Sequence, residues 1–279
     1  MTGNRIVFID SSNFSGPSKR YAPVGTCIYC GTSTTRLGLE HVVPFGLAGN
    51  ALLLPGASCK NCEAITGGNE QAVLRQMLGP LRVLLGLPTR NKKDRPVEFP
   101  LYLDKLKGGV WTPEEKLVAQ THELPGFAYL RLRRAGILDG KPASGIIDGQ
   151  LEYRHLNPKE MFIPQRFKPD MKADEYRTRV GVFNPEKFGK MLAKIAHAYA
   201  TAEVGFGLFR PLVTDFILGK VNTMSHWVGG DWKIPPAHPA AFQLAIENVS
   251  TGGYRYLVVN VRLFSFLELP QYHVVVGEV

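Results

Sequence analysis

Residues 27 to 63 read CIYCGTSTTRLGLEHVVPFGLAGNALLLPGASCKNCE, and this stretch holds all four cysteines of the chain. The cysteines form two Cys-x-x-Cys pairs, Cys27 with Cys30 and Cys59 with Cys62. Each pair can curl around one metal ion with both thiolates on the same side, and two pairs complete the tetrahedral four-sulfur shell of a structural zinc site. Because a closed shell leaves no position for water, we predict a zinc ion that stabilises the fold and takes no part in chemistry.

Three other uses of the cysteines stay open. Two disulfides would require an oxidising compartment, and no signal peptide is visible, because the apolar run after Arg5 ends at Asp10. A redox-active Cys-x-x-Cys pair accounts for one pair but not for the second. An iron centre with four thiolate ligands is compatible with the same spacing. The spacing of the two pairs favours zinc, and four metal-bound cysteines predict a reducing compartment, the cytoplasm.

The insert between the two pairs contains an acid beside a histidine. Residues 39–43, which include Glu40 and His41, are short, half apolar and rich in β-branched side chains, and this pattern predicts a strand. Pro and two Gly in residues 44–50 predict a loop, and the apolar residues 51–54 can return as a second strand. A helix is expected after the second pair. The predicted order is strand, loop, strand and helix, clamped by one zinc ion.

The order Cys-x-x-Cys, Glu-His, Pro, Gly, Asn, Cys-x-x-Cys resembles the HNH endonucleases, the zinc-clamped ββα-metal nucleases. The resemblance covers residues 20 to 90, under a third of the chain. It implies that Glu40 and Glu63 hold a catalytic Mg²⁺ or Mn²⁺ ion. It also implies that His41 is the general base that activates water and that Asn50 orients the histidine.

The chain departs from the HNH pattern at two positions. The residue after the last cysteine is commonly Asn or His in that family and is Glu63 here, although a carboxylate oxygen suits Mg²⁺ or Mn²⁺ better than an amide does. Asn50 lies nine residues before Cys59, further than is usual in the family. The chemistry still fits, because phosphodiester cleavage needs a base for water and a cation for the phosphate.

Charge favours a phosphate-rich partner. The formal net charge is +9, and the densest basic run follows the cysteine stretch directly. This run contains Arg90, Lys92, Lys93 and Arg95. We predict that these side chains contact a nucleic-acid backbone without reading its sequence, although a solvated linker is the alternative. DNA is the expected partner, and nothing in the sequence separates it from RNA. No apolar run approaches the roughly 20 residues of a membrane span, so no membrane partner is expected.

The basic run also marks a predicted domain boundary. We expect residues 1–90 to form the HNH nuclease module, with its motif core at 27–63, and residues 96–279 to form a larger α+β region of unknown role. Strand-like segments separated by turns in the last fifty residues predict an antiparallel sheet there. The predicted fold class is therefore α+β, with an N-terminal ββα-metal module and a structural zinc ion.

Local signals predict helices outside the motif. Asn69 is a plausible N-cap for a helix over residues 69–87, with a break at Gly79-Pro80. Thr-Pro-Glu-Glu at the start of residues 112–120 favours a second helix. Residues 183–203 combine a capping Asn, a following Pro and an apolar stripe, which predicts the third.

Together these observations predict a metal-dependent HNH endonuclease that hydrolyses phosphodiester bonds in DNA. An alternative class is a zinc-containing module that binds nucleic acid or protein without catalysis, and an RNA nuclease is a further alternative. The larger region could bind nucleic acid, recognise a partner or form a homodimer so that two cuts are made.

Overall fold

The computed structural model of the protein describes residues 5–10, 19–91, 93, 95–120, 126–155, 175–180 and 183–279. The strands among these residues are β1 (Arg5–Asp10), β2 (Lys19–Arg20), β3 (Leu37–His41), β4 (Leu52–Cys59), β5 (Glu98–Lys107), β6 (Val110–Gln120), β7 (Gly126–Leu132), β8 (Gly149–His155), β9 (Glu175–Val180), β10 (Arg210–Pro211), β11 (Val228–Gly230), β12 (Ala240–Thr251), β13 (Tyr254–Leu263) and β14 (Gln271–Glu278). The α-helices are α1 (Phe45–Ala48), α2 (Lys60–Ala72), α3 (Gly79–Leu84), α4 (Pro185–Val204), α5 (Thr214–Ile217) and α6 (Met224–Trp227). A π-helical turn (Val73–Met77) follows α2, and 3₁₀ turns occupy Gly136–Asp139 and Ser265–Leu267.

The largest sheet is antiparallel and includes the C-terminal strands. Its order is β1-β12-β13-β14-β10, and β11 also pairs with β14. The β12–β13 hairpin turns at Gly252 and Gly253, which have φ values of 58° and 82°. Two successive residues with positive φ match the twist of the flanking strands, so glycine is favoured at both positions. The predicted α+β class and the predicted antiparallel sheet are confirmed.

Helix α4 packs against this large sheet and also against α2. It starts as predicted, because the Asn184 side chain accepts a hydrogen bond from the backbone N–H of Lys187 at 3.0 Å and Pro185 follows. Every residue from Met191 to Thr201 is buried. A helix that is buried on all sides lies inside the protein, so polar side chains on α4 need partners from the surrounding elements.

The segment around the cysteines forms a small sheet followed by a helix. Strand β3 pairs antiparallel with β4, β2 pairs parallel with the other edge of β4, and α2 begins directly after Cys59. The predicted order of strand, loop, strand and helix is observed, with the one-turn helix α1 inside the loop. The prediction that Asn69 caps a helix was wrong, because Asn69 lies inside α2. The expected break is present, since α3 starts at Gly79 after the π-helical turn.

The predicted helix over residues 112–120 was wrong, because this segment is strand β6. It pairs with β5 along its whole length, from Val110 opposite Lys107 to Gln120 opposite Glu98. Pro113 lies opposite Asp104, where the register of the two strands shifts. An irregular position tolerates a proline that has no backbone donor, so the Thr-Pro-Glu-Glu signal did not prevent strand formation.

One hydrophobic core contains residues from both sides of the predicted domain boundary. Val42 and Leu81 precede the boundary, Leu192 and Val259 follow it, and all four belong to the same buried cluster. The division into two domains at residues 90–96 stays a prediction. The described residues on its two sides share this core. No helix in the described part of the chain is both long and apolar enough to cross a membrane.

Candidate active site and metal centre

The two Cys-x-x-Cys pairs meet where β4 ends and α2 begins. Their four sulfur atoms all lie within 4.8 Å of one another, and all four cysteines are free thiols. The sulfurs of Cys30 and Cys59 are 3.7 Å apart, far longer than the roughly 2.05 Å of a disulfide bond. Cys59 is the last residue of β4 and Cys62 lies in the first turn of α2. Four cysteine sulfurs this close together can bind a zinc ion.

Burial and the start of α2 set the acidity of these thiols. Burial raises the pKa of Cys27 and the pKa of Cys62, which disfavours their thiolate forms. The backbone N–H of Cys62 lowers the pKa of Cys59 to about 7. A divalent cation at the centre would favour all four thiolates, because it supplies the opposite charge that buried sulfurs lack. The donor set therefore fits a structural zinc ion.

His41 is the last residue of β3, and Asn50 returns to it after the single turn of α1. His41 Nε2 lies 3.1 Å from Asn50 Oδ1, so the imidazole donates to the amide oxygen and its Nδ1 keeps a lone pair. Gly49 has a φ of 57°, which lets the chain turn immediately after α1, and its N–H donates to the carbonyl of Phe45. This turn brings the side chain of Asn50 within hydrogen-bond distance of His41, although the two residues are nine apart in sequence.

The imidazole of His41 is half-buried, and its surroundings favour the neutral form. Burial lowers the pKa of His41, the bond to Asn50 raises it in part, and the positive charges of Lys194 and Arg90 lower it further. The ring of Phe45 packs against the imidazole at a centroid distance of 5.8 Å and an interplanar angle of 83°. A neutral imidazole with one ring nitrogen fixed and the other free can accept a proton.

Glu40, which precedes His41, belongs to a buried ion cluster. The Nζ atom of Lys194 lies 2.5 Å from Glu40 Oε1 and 2.8 Å from Glu70 Oε1. Lys194 also donates to the backbone carbonyl of His41. Burial raises the pKa of Glu40, and the charge of Lys194 offsets part of that rise. Burial alone would lower the pKa of Lys194, but the two carboxylates outweigh it and raise the pKa, so the lysine is an ammonium ion.

Glu63 follows the second cysteine pair directly and is exposed in the first turn of α2. Its Oε2 lies beside Gly38 of β3, 3.5 Å from the position that a β-carbon would take, and it lines the same cleft as His41. Among the described residues, only the four cysteines form a group of three or more Cys, His, Asp or Glu close enough to hold a metal ion. Because the Glu40 carboxylate is paired with Lys194, this arrangement does not fit a Mg²⁺ or Mn²⁺ ion held between Glu40 and Glu63.

A cleft of about 1270 Å³ contains His41, Glu40 and Glu63 in its walls. The basic side chains that line it are Lys60, Arg75, Arg82, Arg90, Arg95 and Lys194. The wall is therefore richer in positive charge than in carboxylates, as a phosphate-binding surface requires.

The basic residues predicted to contact nucleic acid differ in their position relative to the cleft. The guanidinium of Arg90 is exposed in the cleft and lies 5.6 Å from the ring centroid of Phe45. Arg95 also lines the cleft, but it donates to the backbone carbonyl of Leu87 at 2.5 Å. Lys93 is exposed and is not part of the cleft wall. Lys92 lies outside the described residues. Arg90 is thus the predicted contact best placed to meet a phosphate beside His41.

Two residues of this site, Glu70 and Lys194, were not predicted from the sequence, and Arg82 was expected to meet a phosphate, solvent or an ion-pair partner. Glu70 lies seven residues, or two helical turns, after Glu63, and this spacing could have indicated a shared face of α2. Lys194 interrupts the apolar stripe of α4, which was also a usable signal. Arg82 donates to three backbone carbonyls at 2.7, 3.1 and 2.9 Å, and no local pattern predicts those contacts.

A scan against protein-family models, a search of curated proteins and a search of solved structures each found no match to this chain.

Proposed function

We propose that this protein is an endonuclease of the HNH type that hydrolyses phosphodiester bonds in DNA, with His41 as the general base. The observation that carries this proposal is the hydrogen bond to Asn50 from His41, which lies in the wall of a cleft lined by more basic than acidic side chains. Phosphodiester hydrolysis requires a base for the attacking water and positive charge at the phosphate, and this cleft offers both. The adjacent cysteine cluster supports the same proposal, since it can hold the hairpin in place through a zinc ion.

In the proposed reaction, Nδ1 of His41 takes a proton from water while the water oxygen bonds to phosphorus. The bond between phosphorus and the leaving sugar oxygen breaks, and that oxygen takes a proton from solvent. The Asn50 Oδ1 atom accepts a hydrogen bond from the Nε2–H group of His41, which keeps the lone pair on Nδ1. Arg90 is placed to meet the negative charge that the phosphate oxygens gain. The dependence on Mg²⁺ or Mn²⁺ that the resemblance implies stays a prediction.

The test is nicking of supercoiled plasmid by the full-length, zinc-loaded protein with added Mg²⁺, with added Mn²⁺ and with neither. Single-stranded DNA and RNA are assayed in parallel, because the net charge of +9 suits every nucleic acid. Conversion of the plasmid to nicked or linear DNA supports the proposal. If a folded, zinc-loaded protein cuts none of these substrates, the proposal is overturned and a binding module without catalysis replaces it.

Asn50→Ala is expected to lower kcat for plasmid nicking by roughly tenfold to hundredfold with little change in KM. The imidazole loses the acceptor that fixes its tautomer and orientation, and small misplacements of a catalytic group cost rates of this order. Asn50→Asp, which keeps an acceptor oxygen at this position, is the matched variant and should retain more activity. An unchanged kcat in Asn50→Ala would show that the contact does not serve catalysis.

Arg90→Ala is expected to reduce cleavage by roughly tenfold, because Arg90 lies in the cleft beside Phe45 and His41. Lys93→Ala is the matched control, since it removes the same charge from an exposed residue outside the cleft wall and should cost no more than about twofold. Cleavage rates at fixed ionic strength make the comparison. Equal losses in the two variants would mean that charge alone matters and that the position of Arg90 does not.

A further inference from the structure

Glu40 is held by groups from other elements of the protein. Its side chain is 7% exposed, and its closest charged partner, Lys194, is 3% exposed. We propose that Glu40 is a positioning residue for His41 and not a ligand of a divalent cation, and that Lys194 and Glu70 complete the positioning cluster. This inference deepens the proposed function and rests on it, since positioning matters only if His41 acts on a substrate.

Three oxygen atoms surround the ammonium group of Lys194, two of them in ion pairs. An ammonium group has three N–H donors and no acceptor. Its Nζ meets Glu40 Oε1 at 2.5 Å, Glu70 Oε1 at 2.8 Å and the backbone carbonyl of His41. These oxygens belong to β3 and α2, while Lys194 belongs to α4. One buried ammonium therefore joins three elements at the residue that carries the proposed base.

The same surroundings disfavour a divalent cation at Glu40. Mg²⁺ gives up its water reluctantly and usually keeps several water ligands, for which a side chain that is 7% exposed leaves little room. The cation would also lie next to the buried ammonium of Lys194, and like charges repel strongly where the dielectric constant is low. Glu63 is exposed on the cleft, so a cation bound to its carboxylate would have room to keep its water ligands.

Helix α4 has a second anchor on the same segment. His197, three residues after Lys194, donates from Nε2 to the backbone carbonyl of Ile28 at 2.7 Å, between the cysteines of the first pair. Burial lowers the pKa of His197 to about 4, so its ring is neutral. Helix α4 thus fixes both the cysteine loop and the strand of His41. This gives residues 96–279, whose role was open from the sequence, a part in assembling the site.

The experiment compares Glu40→Gln with Glu63→Gln in the full-length, zinc-loaded protein. Binding of Mn²⁺ is titrated by electron paramagnetic resonance, and kcat and KM are measured over a range of Mn²⁺ concentrations. We expect Glu40→Gln to bind Mn²⁺ within twofold of wild type, to lose at least tenfold in kcat, and not to recover at higher Mn²⁺. Glu63→Gln should bind Mn²⁺ at least tenfold more weakly. If Glu40→Gln weakens Mn²⁺ binding tenfold and recovers activity as Mn²⁺ rises, Glu40 is a ligand and the inference is overturned.

A second readout does not depend on cleavage. Histidine-selective ¹⁵N NMR at fixed pH reports which ring nitrogen of His41 carries the proton, and wild type should show the Nε2–H form that Asn50 favours. Glu40→Gln should shift or broaden this signal while the zinc content and the unfolding temperature stay close to wild type. An unchanged His41 signal would contradict the positioning role. If the wild-type protein cuts nothing, the proposed function fails alone, and the Mn²⁺ and NMR measurements still decide whether Glu40 binds cations or holds His41.

The double variant Glu40→Gln/Lys194→Met guards against a folding defect. Lys194→Met alone would leave two carboxylates without their counter-ion, and breaking a buried ion pair on one side is strongly destabilising. The double variant removes the most buried pair and leaves Glu70, whose side chain is 18% exposed. We expect it to fold, to keep zinc, and to show a kcat at least tenfold below wild type. Wild-type kcat in this variant would overturn the inference.

Discussion

His41→Ala is expected to lower the rate of plasmid nicking by at least a hundredfold while zinc content and unfolding temperature stay unchanged. Proton transfer by a positioned side chain contributes typically 10²- to 10⁴-fold, and His41 is the one histidine in the wall of the cleft described here. Its ring is half-buried, so the substitution removes little core packing. Initial nicking rates, read from the supercoiled fraction on agarose gels, make the measurement.

The pH dependence of cleavage gives the same prediction a second test. Burial lowers the pKa of His41, so the free base is present at neutral pH and is lost only as the pH falls below the usual histidine range. Cleavage by wild type should therefore be flat near pH 7 and should decline on the acid side, below about pH 6.5. The residual rate of His41→Ala should lack this decline.

His238→Ala is the matched control for the histidine substitution. His238 is half-buried like His41, stacks on Phe8 at a centroid distance of 4.9 Å, and is not part of the cleft wall. The His238→Ala protein should cleave at a rate within about twofold of wild type, because substitutions of half-exposed residues outside a site usually have small effects. A His41→Ala protein that keeps its zinc and cuts as fast as His238→Ala would remove His41 from the chemistry.

Helix α4 was predicted well because several of its signals agree. Helix α4 has its cap, its first-turn proline and its apolar stripe within one segment, and its start at Pro185 was predicted within two residues. The segment at 112–120 shows the opposite case. Its helix-start signal is local, but pairing with the ten residues of β5 decides its conformation, and that partner is not visible in the segment itself. Propensity is a weak prior, and tertiary context overrides it.

The candidate site divides in the same way. The cysteine spacing and the Glu40-His41 pair placed the hairpin, and the bond between His41 and Asn50 was expected from the resemblance. The partner of Glu40 was not predictable, because Lys194 is separated from His41 by 153 residues and no motif links them. A burial argument was available, since a lysine in an apolar helix must find acceptors. The sequence alone does not say which acceptors these are.

The position of Lys194 gives the larger region a direct contact with the strand of the proposed base. The β3–β4 pair and α2 share the hydrophobic core with α4. Lys194 of α4, the only buried lysine among the described residues, also contacts Glu40 of β3 and Glu70 of α2. A short hairpin by itself is marginally stable in water, so its fixed geometry has to come from neighbouring elements. Helix α4 supplies one such constraint and the cysteine cluster supplies the other.

Cys59→Ser is expected to abolish zinc binding and to unfold the hairpin of β3 and β4 together with the start of α2. Structural zinc sites contribute on the order of 10 kcal/mol of binding free energy, which is folding free energy when the unfolded chain has no site. Cys59 joins β4 to α2, and its sulfur lies within 4.8 Å of the other three. We expect wild type to contain one zinc ion per chain by mass spectrometry, and Cys59→Ser to contain none.

Ser58→Ala is the matched control for this loss, because Ser58 is the buried neighbour of Cys59 and its hydroxyl donates only to a backbone carbonyl at 3.4 Å. It should keep zinc and unfold within a few degrees of wild type. Cys59→Ser should also lose protection of the β3 and β4 amides in hydrogen exchange. Plasmid nicking should be lost with it, because His41 is the last residue of β3 and Asn50 lies just before β4. If Cys59→Ser kept the hairpin protected, the hairpin would not depend on the metal, because packing against α4 would be sufficient to hold it.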